Sequence, residues 1–177
     1  VESNDGFFYI TGGRNAYGDE GYNDAVIIKT DTSGNLVWSK KFNNGYNEYA
    51  NDIVLVGNHI YIGGNYEDAL NAAFFSSFIA KIDTSGNLNW LRKYDTSYPL
   101  SSTRFYKKND NEFFLTSVKF ILKTDSSGSL IFANEYSLSI TDLKFTSDGG
   151  CLVSSGSGSG IKMCKTDSNL YSCSSST

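Results

Sequence analysis

The segment Ile28-Lys29-Thr30-Asp31-Thr32-Ser33-Gly34-Asn35-Leu36-Val37-Trp38 returns with few changes as Ala80-Lys81-Ile82-Asp83-Thr84-Ser85-Gly86-Asn87-Leu88-Asn89-Trp90. It returns again as Leu122-Lys123-Thr124-Asp125-Ser126-Ser127-Gly128-Ser129-Leu130-Ile131-Phe132. A fourth copy, Cys164-Lys165-Thr166-Asp167-Ser168-Asn169-Leu170-Tyr171, reads as shortened by two turn residues, with Ser172 where the aromatic would fall. Each copy carries the chemistry of a tight hairpin. Its Asp accepts hydrogen bonds from backbone N–H groups further along the turn, and its Gly supplies the left-handed conformation the loop requires. An apolar strand such as Ala25-Val26-Ile27-Ile28 precedes the turn. After it comes a strand with an aromatic, a basic pair and a second aromatic, as in Trp38-Ser39-Lys40-Lys41-Phe42 and Trp90-Leu91-Arg92-Lys93-Tyr94.

A second hairpin lies ahead of the repeated segment. Asp52-Ile53-Val54-Leu55-Val56, the turn Gly57-Asn58 and Ile60-Tyr61-Ile62-Gly63-Gly64 read as two strands, and Thr141 to Val153 repeats the pattern around Asp148-Gly149-Gly150. At the N-terminus Asn4-Asp5-Gly6 gives the turn and Phe7 to Ile10 the second strand, so the first strand of that unit reads as missing or as lying upstream. Measured between Asp31, Asp83, Asp125 and Asp167, the repeat is 52, 42 and 42 residues long. Periods of about 40–50 residues with several short strands apiece indicate the blades of a β-propeller, since solenoid turns are much shorter. The expected fold is therefore all-β, a β-propeller of about four four-stranded antiparallel blades in one domain. Their expected ranges are 1–48, 49–97, 98–138 and 139–177, the first incomplete. No helix template fits.

Composition agrees. Phe, Tyr and Trp number 12, 12 and 2 and glycine 17 in a chain of 177 residues, while good helix formers are sparse, which favours strands. Fifteen Lys+Arg against 19 Asp+Glu, a net charge of −4, leave no basic face of the size duplex DNA demands. No apolar run reaches the roughly 20 residues that span a bilayer, and the longest, Ala72 to Ala80, is broken by Ser76 and Ser77. The expectation is thus no nucleic acid and no membrane span. Position 1 is Val and no signal segment follows, so the chain reads as a mature or excised part of something longer. The Ser-rich tail from Cys173 reads as a disordered end or the start of a linker.

The Lys-x-Asp-x-Ser-Gly-Asn-Leu-x-Trp unit resembles the bacterial-type β-propeller repeat of large secreted and cell-surface proteins. It is also similar to the tryptophan-docking repeat of quinoprotein-like propellers, in which Gly stands four residues before Trp. Gly34 and Trp38, and Gly86 and Trp90, keep that spacing, and Gly128 keeps it with Phe132. The resemblance implies that Trp38, Trp90 and Phe132 anchor blade to blade, with Asp31, Gly34, Asp83, Gly86, Asp125 and Gly128 shaping the turns. It also implies an extracellular or cell-surface location. Four blades either close a small ring alone or form half of a larger one. Cys151, Cys164 and Cys173 all fall in the last unit, and a secreted family favours one bridge, Cys164–Cys173, with Cys151–Cys164 as the competing pair.

Catalytic chemistry is hard to find. The single histidine, His59, follows Gly57-Asn58 in a turn, which reads as a solvated position. No clustered Cys and His suggests zinc, and no cofactor is expected. A quinone-dependent dehydrogenase is the activity the resemblance invites, but it requires more blades and a metal–cofactor pocket. The repeated lysines, Lys29, Lys81, Lys123 and Lys165, read as solvated strand residues. Asp19, Glu20 and Asp24 lie in an acidic loop that lacks the ordered spacing of a dedicated calcium site. Tyrosine and polar residues gather in the segments between strands and between units: Arg14, Tyr17, Tyr22, Tyr46, Tyr49, Tyr66 and Tyr98. Flat aromatic faces beside hydrogen-bonding groups suit protein loops or sugars. The expected function is a non-enzymatic interaction or scaffold module binding protein or glycan through these rim loops. The alternatives are a self-assembling subunit of a fibre or surface layer, whose partners are copies of itself, and a fragment of a quinoprotein-like enzyme.

Overall fold

The structure, a computed structural model, describes residues 1–15, 22–42, 47–67, 75–95, 103–137, 139–157 and 160–176, and among these every regular element is a strand. Four antiparallel sheets follow one another along the chain, one to each repeat of the sequence. The first holds β1 (Phe8–Asn15), β2 (Asn23–Thr30) and β3 (Leu36–Phe42). The second holds β4 (Glu48–Val56), β5 (His59–Glu67), β6 (Phe75–Asp83) and β7 (Leu88–Tyr94). The third is made of β8 (Arg104–Asn109), β9 (Glu112–Thr116), β10 (Phe120–Asp125) and β11 (Leu130–Glu135). The fourth is made of β12 (Ile140–Phe145), β13 (Cys151–Ser157), β14 (Gly160–Thr166) and β15 (Ser172–Ser176). Within each sheet every strand pairs with its sequence neighbour, as short hairpin connections dictate. Two compact units divide the chain, Val1–Phe105 and Tyr106–Thr177.

The repeated turn is built as its residues require. Asp31 Oδ1 accepts the N–H groups of Ser33 at 2.9 Å and Asn35 at 2.8 Å, and the Gly34 N–H donates to the Asp31 carbonyl at 3.0 Å. Gly34 sits at φ +81°, a conformation glycine adopts without cost. Hydrogen bonds from the Asn35 side chain, then from its N–H, hold the Asp31 carboxyl below the usual carboxylate range. Asp83 and Asp125 repeat the arrangement.

The fourth turn corrects the reading of a shortened copy. Asp167 Oδ1 accepts from the N–H groups of Asn169 and Tyr171, and the Leu170 N–H donates to the Asp167 carbonyl at 3.1 Å. Spacing and pattern match the other turns, so Leu170 stands where they have glycine, at φ +62°. A left-handed leucine costs about 1–2 kcal/mol. Its side chain is buried in the core of the second unit, and that burial offsets the strain. The terminal serines likewise differ from a loose tail: Ser172–Ser176 form β15, hydrogen-bonded to β14.

The glycine pairs Gly12-Gly13 and Gly63-Gly64 lie inside β1 and β5. In the first unit the core joins Tyr9 and Ile27 of the first sheet to Ile60, Ile62, Phe78 and Ile82 of the second, with Phe7, Trp38 and Phe42 packed against them. In the second unit Phe114, Ile121, Tyr136, Leu143, Val153 and Leu170 form the core, with Phe132 against it.

Candidate functional site

The register places one lysine of every sheet between two residues on its neighbouring strands. Lys29 faces Tyr9 and Trp38, Lys81 faces Tyr61 and Trp90, and Lys123 faces Phe114 and Phe132. Directly opposed residues on adjacent strands share a face, so each of these three lysines stems from a position flanked by two aromatic residues. Lys29 Nζ sits 3.9 Å from the centre of the Phe7 ring and donates to the Thr84 carbonyl at 3.3 Å. Lys81 is 5.3 Å from the Tyr61 ring, and Lys123 is within 5.9 Å of both of its aromatic neighbours while paired with Glu112. The fourth sheet has lost both rings: Lys165 faces Leu152 and Cys173 and turns to Asp148 at 2.8 Å. Lys29, Lys81 and Lys123 are therefore packed against rings rather than solvated, and Lys29 is buried, whereas the Lys165 side chain stays 40% exposed.

Trp38 does reach the neighbouring sheet. Its indole N–H donates to the same Thr84 carbonyl at 3.3 Å, in the turn between β6 and β7, and its ring comes against Gly86. Trp90 lies 5.9 Å from Tyr61 of its own sheet, edge to face.

The first sheet differs from the second along one edge. Aligning Lys29 with Lys81 makes Tyr9 the counterpart of Tyr61, Ile10 of Ile62 and Gly12 of Gly64. In the second sheet β4 covers this edge, with Val54 opposite Tyr61 and Leu55 opposite Ile60. In the first sheet only Val1 to Ser3 do so. Glu2 pairs with Phe8, and Val1 and Tyr9 exchange two backbone hydrogen bonds of 2.8 Å. Val1 to Ser3 thus lie along the start of β1, and β1 from Ile10 onward has no partner on that side among the described residues.

Beside this edge lies a cleft of about 560 Å³, entirely within the first unit. Thr11, Gly12 and Gly13 of β1 form one wall, and Tyr49, Asn51 and Asp52 of β4 with Arg104 form the other. Its polar groups are held in place. Asn51 Nδ2 donates to Asn65 at 2.8 Å and to the Thr103 carbonyl at 2.9 Å. Asp52 accepts the Phe105 N–H at 2.9 Å, and the Tyr49 hydroxyl accepts from Asn23 at 2.7 Å. On the other face of the same edge a second cavity of about 390 Å³ is lined by Ile10, Val26 and Ile28. The edge therefore has a polar side and an apolar side.

No family model and no curated protein matches this sequence. Solved structures do match its fold. The hydrazine synthase of Kuenenia stuttgartiensis superimposes with a TM-score of 0.61 at 11% identity, over 94% of this chain and 57% of that one. It is of the β-propeller type. The fold here is propeller-like. A protein of unknown function from Bacteroides caccae matches with a TM-score of 0.43 at 12% identity, over 96% of this chain and 72% of that one. BamB of Moraxella catarrhalis matches with 0.35 at 10%, over 79% and 53%. The chain thus spans a little over half the length of the synthase chain.

In propeller terms each sheet is a blade, and the rim residues expected from sequence fall in different places. Tyr66 is buried in the core at 5% exposure, its hydroxyl donating to Asp95 at 2.7 Å and the Lys93 ammonium 4.0 Å above its ring. That hydrogen bond, before any other cause, holds the Asp95 carboxyl below its usual range. Tyr22 is exposed at the start of β2, and Tyr49 lines the cleft. Tyr17, Tyr46, Tyr98, Asp19, Glu20 and the side chains of Arg14 and Cys173 lie outside the described residues. Asp24 is buried and its carboxylate is paired with Lys41 at 3.1 Å, so it is committed to an ion pair within its own blade. Cys151 belongs to the core of the second unit, where burial pushes its thiol pKa up. Sequence reading missed the cleft because Asn51, Asp52, Thr103 and Arg104 are scattered over two repeats and carry no motif.

Proposed function

We propose that this propeller is a non-enzymatic interaction module, extracellular or on the cell surface, that binds a protein or glycan partner at the cleft between β1 and β4. The reading also assigns the repeat to the secreted, tryptophan-docking kind, which the Trp38 N–H on the Thr84 carbonyl supports. One observation carries it: a cleft of about 560 Å³ whose amides, hydroxyl and carboxylate are fixed by one another and by backbone, beside an exposed Arg104. Polar groups already satisfied by the fold present a rigid pattern of donors and acceptors to a partner at little entropic cost. Asp52 is the acid of this lining, and its hydrogen bond to the Phe105 N–H gives it a structural task.

The test is a glycan array and a panel of purified surface proteins, probed with the native chain and with Arg104→Ala. A partner whose affinity falls at least tenfold in the variant, at an unchanged unfolding midpoint, supports the reading. Partners that bind both forms equally would reject this cleft as the site. Labelling of intact source cells by antibody tests the location, and signal appearing only after lysis would overturn it.

A further inference from the structure

We propose that β11 is the seam of a symmetric dimer, in which two copies of this chain pair their third blades edge to edge along Leu130–Glu135. This goes beyond the cleft of the first unit and does not depend on it. The argument begins with topology. The third blade has all four of its strands, in the order β11-β10-β9-β8, and the elements on either side of β11 in sequence, β10 and β12, are both in place. β11 is therefore the outer edge of its blade, and no described strand pairs with its far side. Tyr136 donates its N–H inward, to the Lys119 carbonyl at 2.8 Å. Antiparallel ladders alternate, so Asn134 and Phe132 also turn toward β10, and Ala133 turns its N–H and carbonyl outward.

An open edge is a template for another strand, and proteins guard it with charge, lysine above all. The outer strands of the first two blades are guarded in this way. Trp38 is followed by Lys40-Lys41 and Trp90 by Arg92-Lys93, whereas the same two positions after Phe132 are Asn134 and Glu135. β11 thus opens on the apolar run Leu130-Ile131-Phe132-Ala133 and holds no basic residue. Leu130 is 52% and Ile131 51% exposed. Leu36 and Leu88 are exposed as well, beside their basic pairs, so what sets β11 apart is the lost charge.

Symmetry selects the occupant. Two identical strands that meet about a two-fold axis normal to the sheet keep each side chain on its own face, so the axis passes through a residue and not between two. Ala133 is that residue. Its backbone groups face outward and its methyl is exposed, so it meets Ala133 of the second copy as a hydrogen-bonded pair. Phe132 then lies opposite Asn134 of the second copy, and Ile131 opposite Glu135 of the second copy. The two Glu135 carboxylates stand about 14 Å apart along the seam, beyond the roughly 8 Å over which charge acts at physiological salt. The same pairing of β3 would gather Lys40 and Lys41 of both copies, with Lys40 about 7 Å from its own copy. Charge admits the seam at β11 and opposes it at β3 and β7.

Sedimentation equilibrium of the full chain over a concentration series tests the seam. Expected is a reversible monomer–dimer equilibrium, with hydrogen exchange at the Ala133 amide slowed at least tenfold where the dimer prevails. Ala133→Lys puts a charge at the axis, where it meets its own copy, and should weaken the dimer at least tenfold. Residue 133 is exposed in the single chain, so the unfolding midpoint at dilution should stay in place. Ile131→Lys sets its ammonium opposite Glu135 of the second copy and should leave the dimer constant within about threefold. A mass of one chain at every concentration would overturn the proposal. So would a mass that grows past two chains, since a two-fold seam closes on itself. Equal dimerisation of Ala133→Lys, or a tenfold loss in Ile131→Lys, would put the contact elsewhere and reject this seam.

Discussion

Thr84 offers one carbonyl oxygen to two donors from the neighbouring blade, the Lys29 ammonium and the Trp38 indole N–H, both at 3.3 Å. That arrangement predicts a non-additive pair of substitutions. Lys29→Met keeps the apolar stem but loses a charged hydrogen bond and the contact over Phe7, a cost of about 1–3 kcal/mol. Trp38→Phe keeps an aromatic ring and loses the N–H, together about 1 kcal/mol. In either single variant the carbonyl retains one donor. In the double variant it has none, and an unsatisfied buried acceptor costs about 1–3 kcal/mol. Thr84 is half-buried, so water replaces part of the loss and the low end applies. The double variant should therefore be less stable than the two single costs predict by about 1 kcal/mol, or about 2–4 °C in midpoint for a chain of this size. Urea unfolding followed by far-UV circular dichroism measures it, since removal of Trp38 compromises fluorescence. Additivity within about 0.5 kcal/mol would refute the shared acceptor. It would mean that the two side chains dock independently and that Thr84 is not the point where the blades are fastened.

Gly64→Ala should cost roughly 2–4 kcal/mol in thermal unfolding, because the new Cβ meets the Tyr49 main chain. Gly12→Ala at the matching position should instead be neutral or stabilise by up to about 1 kcal/mol, by restricting the unfolded chain; equal losses at both sites would refute the contrast in space around the two glycines. Leu170→Gly relieves the strain at φ +62° but empties part of a core, so denaturant titration should show a net loss of about 1–4 kcal/mol; a gain would mean that the side chain contributes little. Burial, with a hydrogen bond to Asp142, pushes the Tyr106 phenol up to about 12, and burial pushes Tyr136 up to about 12, against an ordinary value of 10.0. The unfolded chain then releases these protons first, so stability is intact below pH 10 and declines as the pH rises from about 10 to about 12. Tyr136→Phe should flatten that decline in equilibrium unfolding across this range, and an unchanged slope would reject the assignment.

The architecture was legible because the repeat writes its turn in a local code. Asp accepts from backbone two and four residues on, Gly takes the positive φ, and neither depends on distant contacts. Leu170 shows where that code fails. A leucine at a left-handed turn position is tolerated only because the second unit buries it, and no local rule announces that exchange. The lysines fail for a related reason: Lys29 and Lys123 look like solvent-facing positions until the register sets rings on both sides of them. Tyr66 is the converse, a loop tyrosine by composition whose ring is core. The candidate site was the least legible of all, since Asn51, Asp52, Thr103 and Arg104 carry no motif and meet only when β4 and the segment ahead of β8 are set beside β1. Asn51 is held there by the Thr103 carbonyl and Asp52 by the Phe105 N–H, and no local rule of sequence announces either contact, because each joins residues more than fifty positions apart.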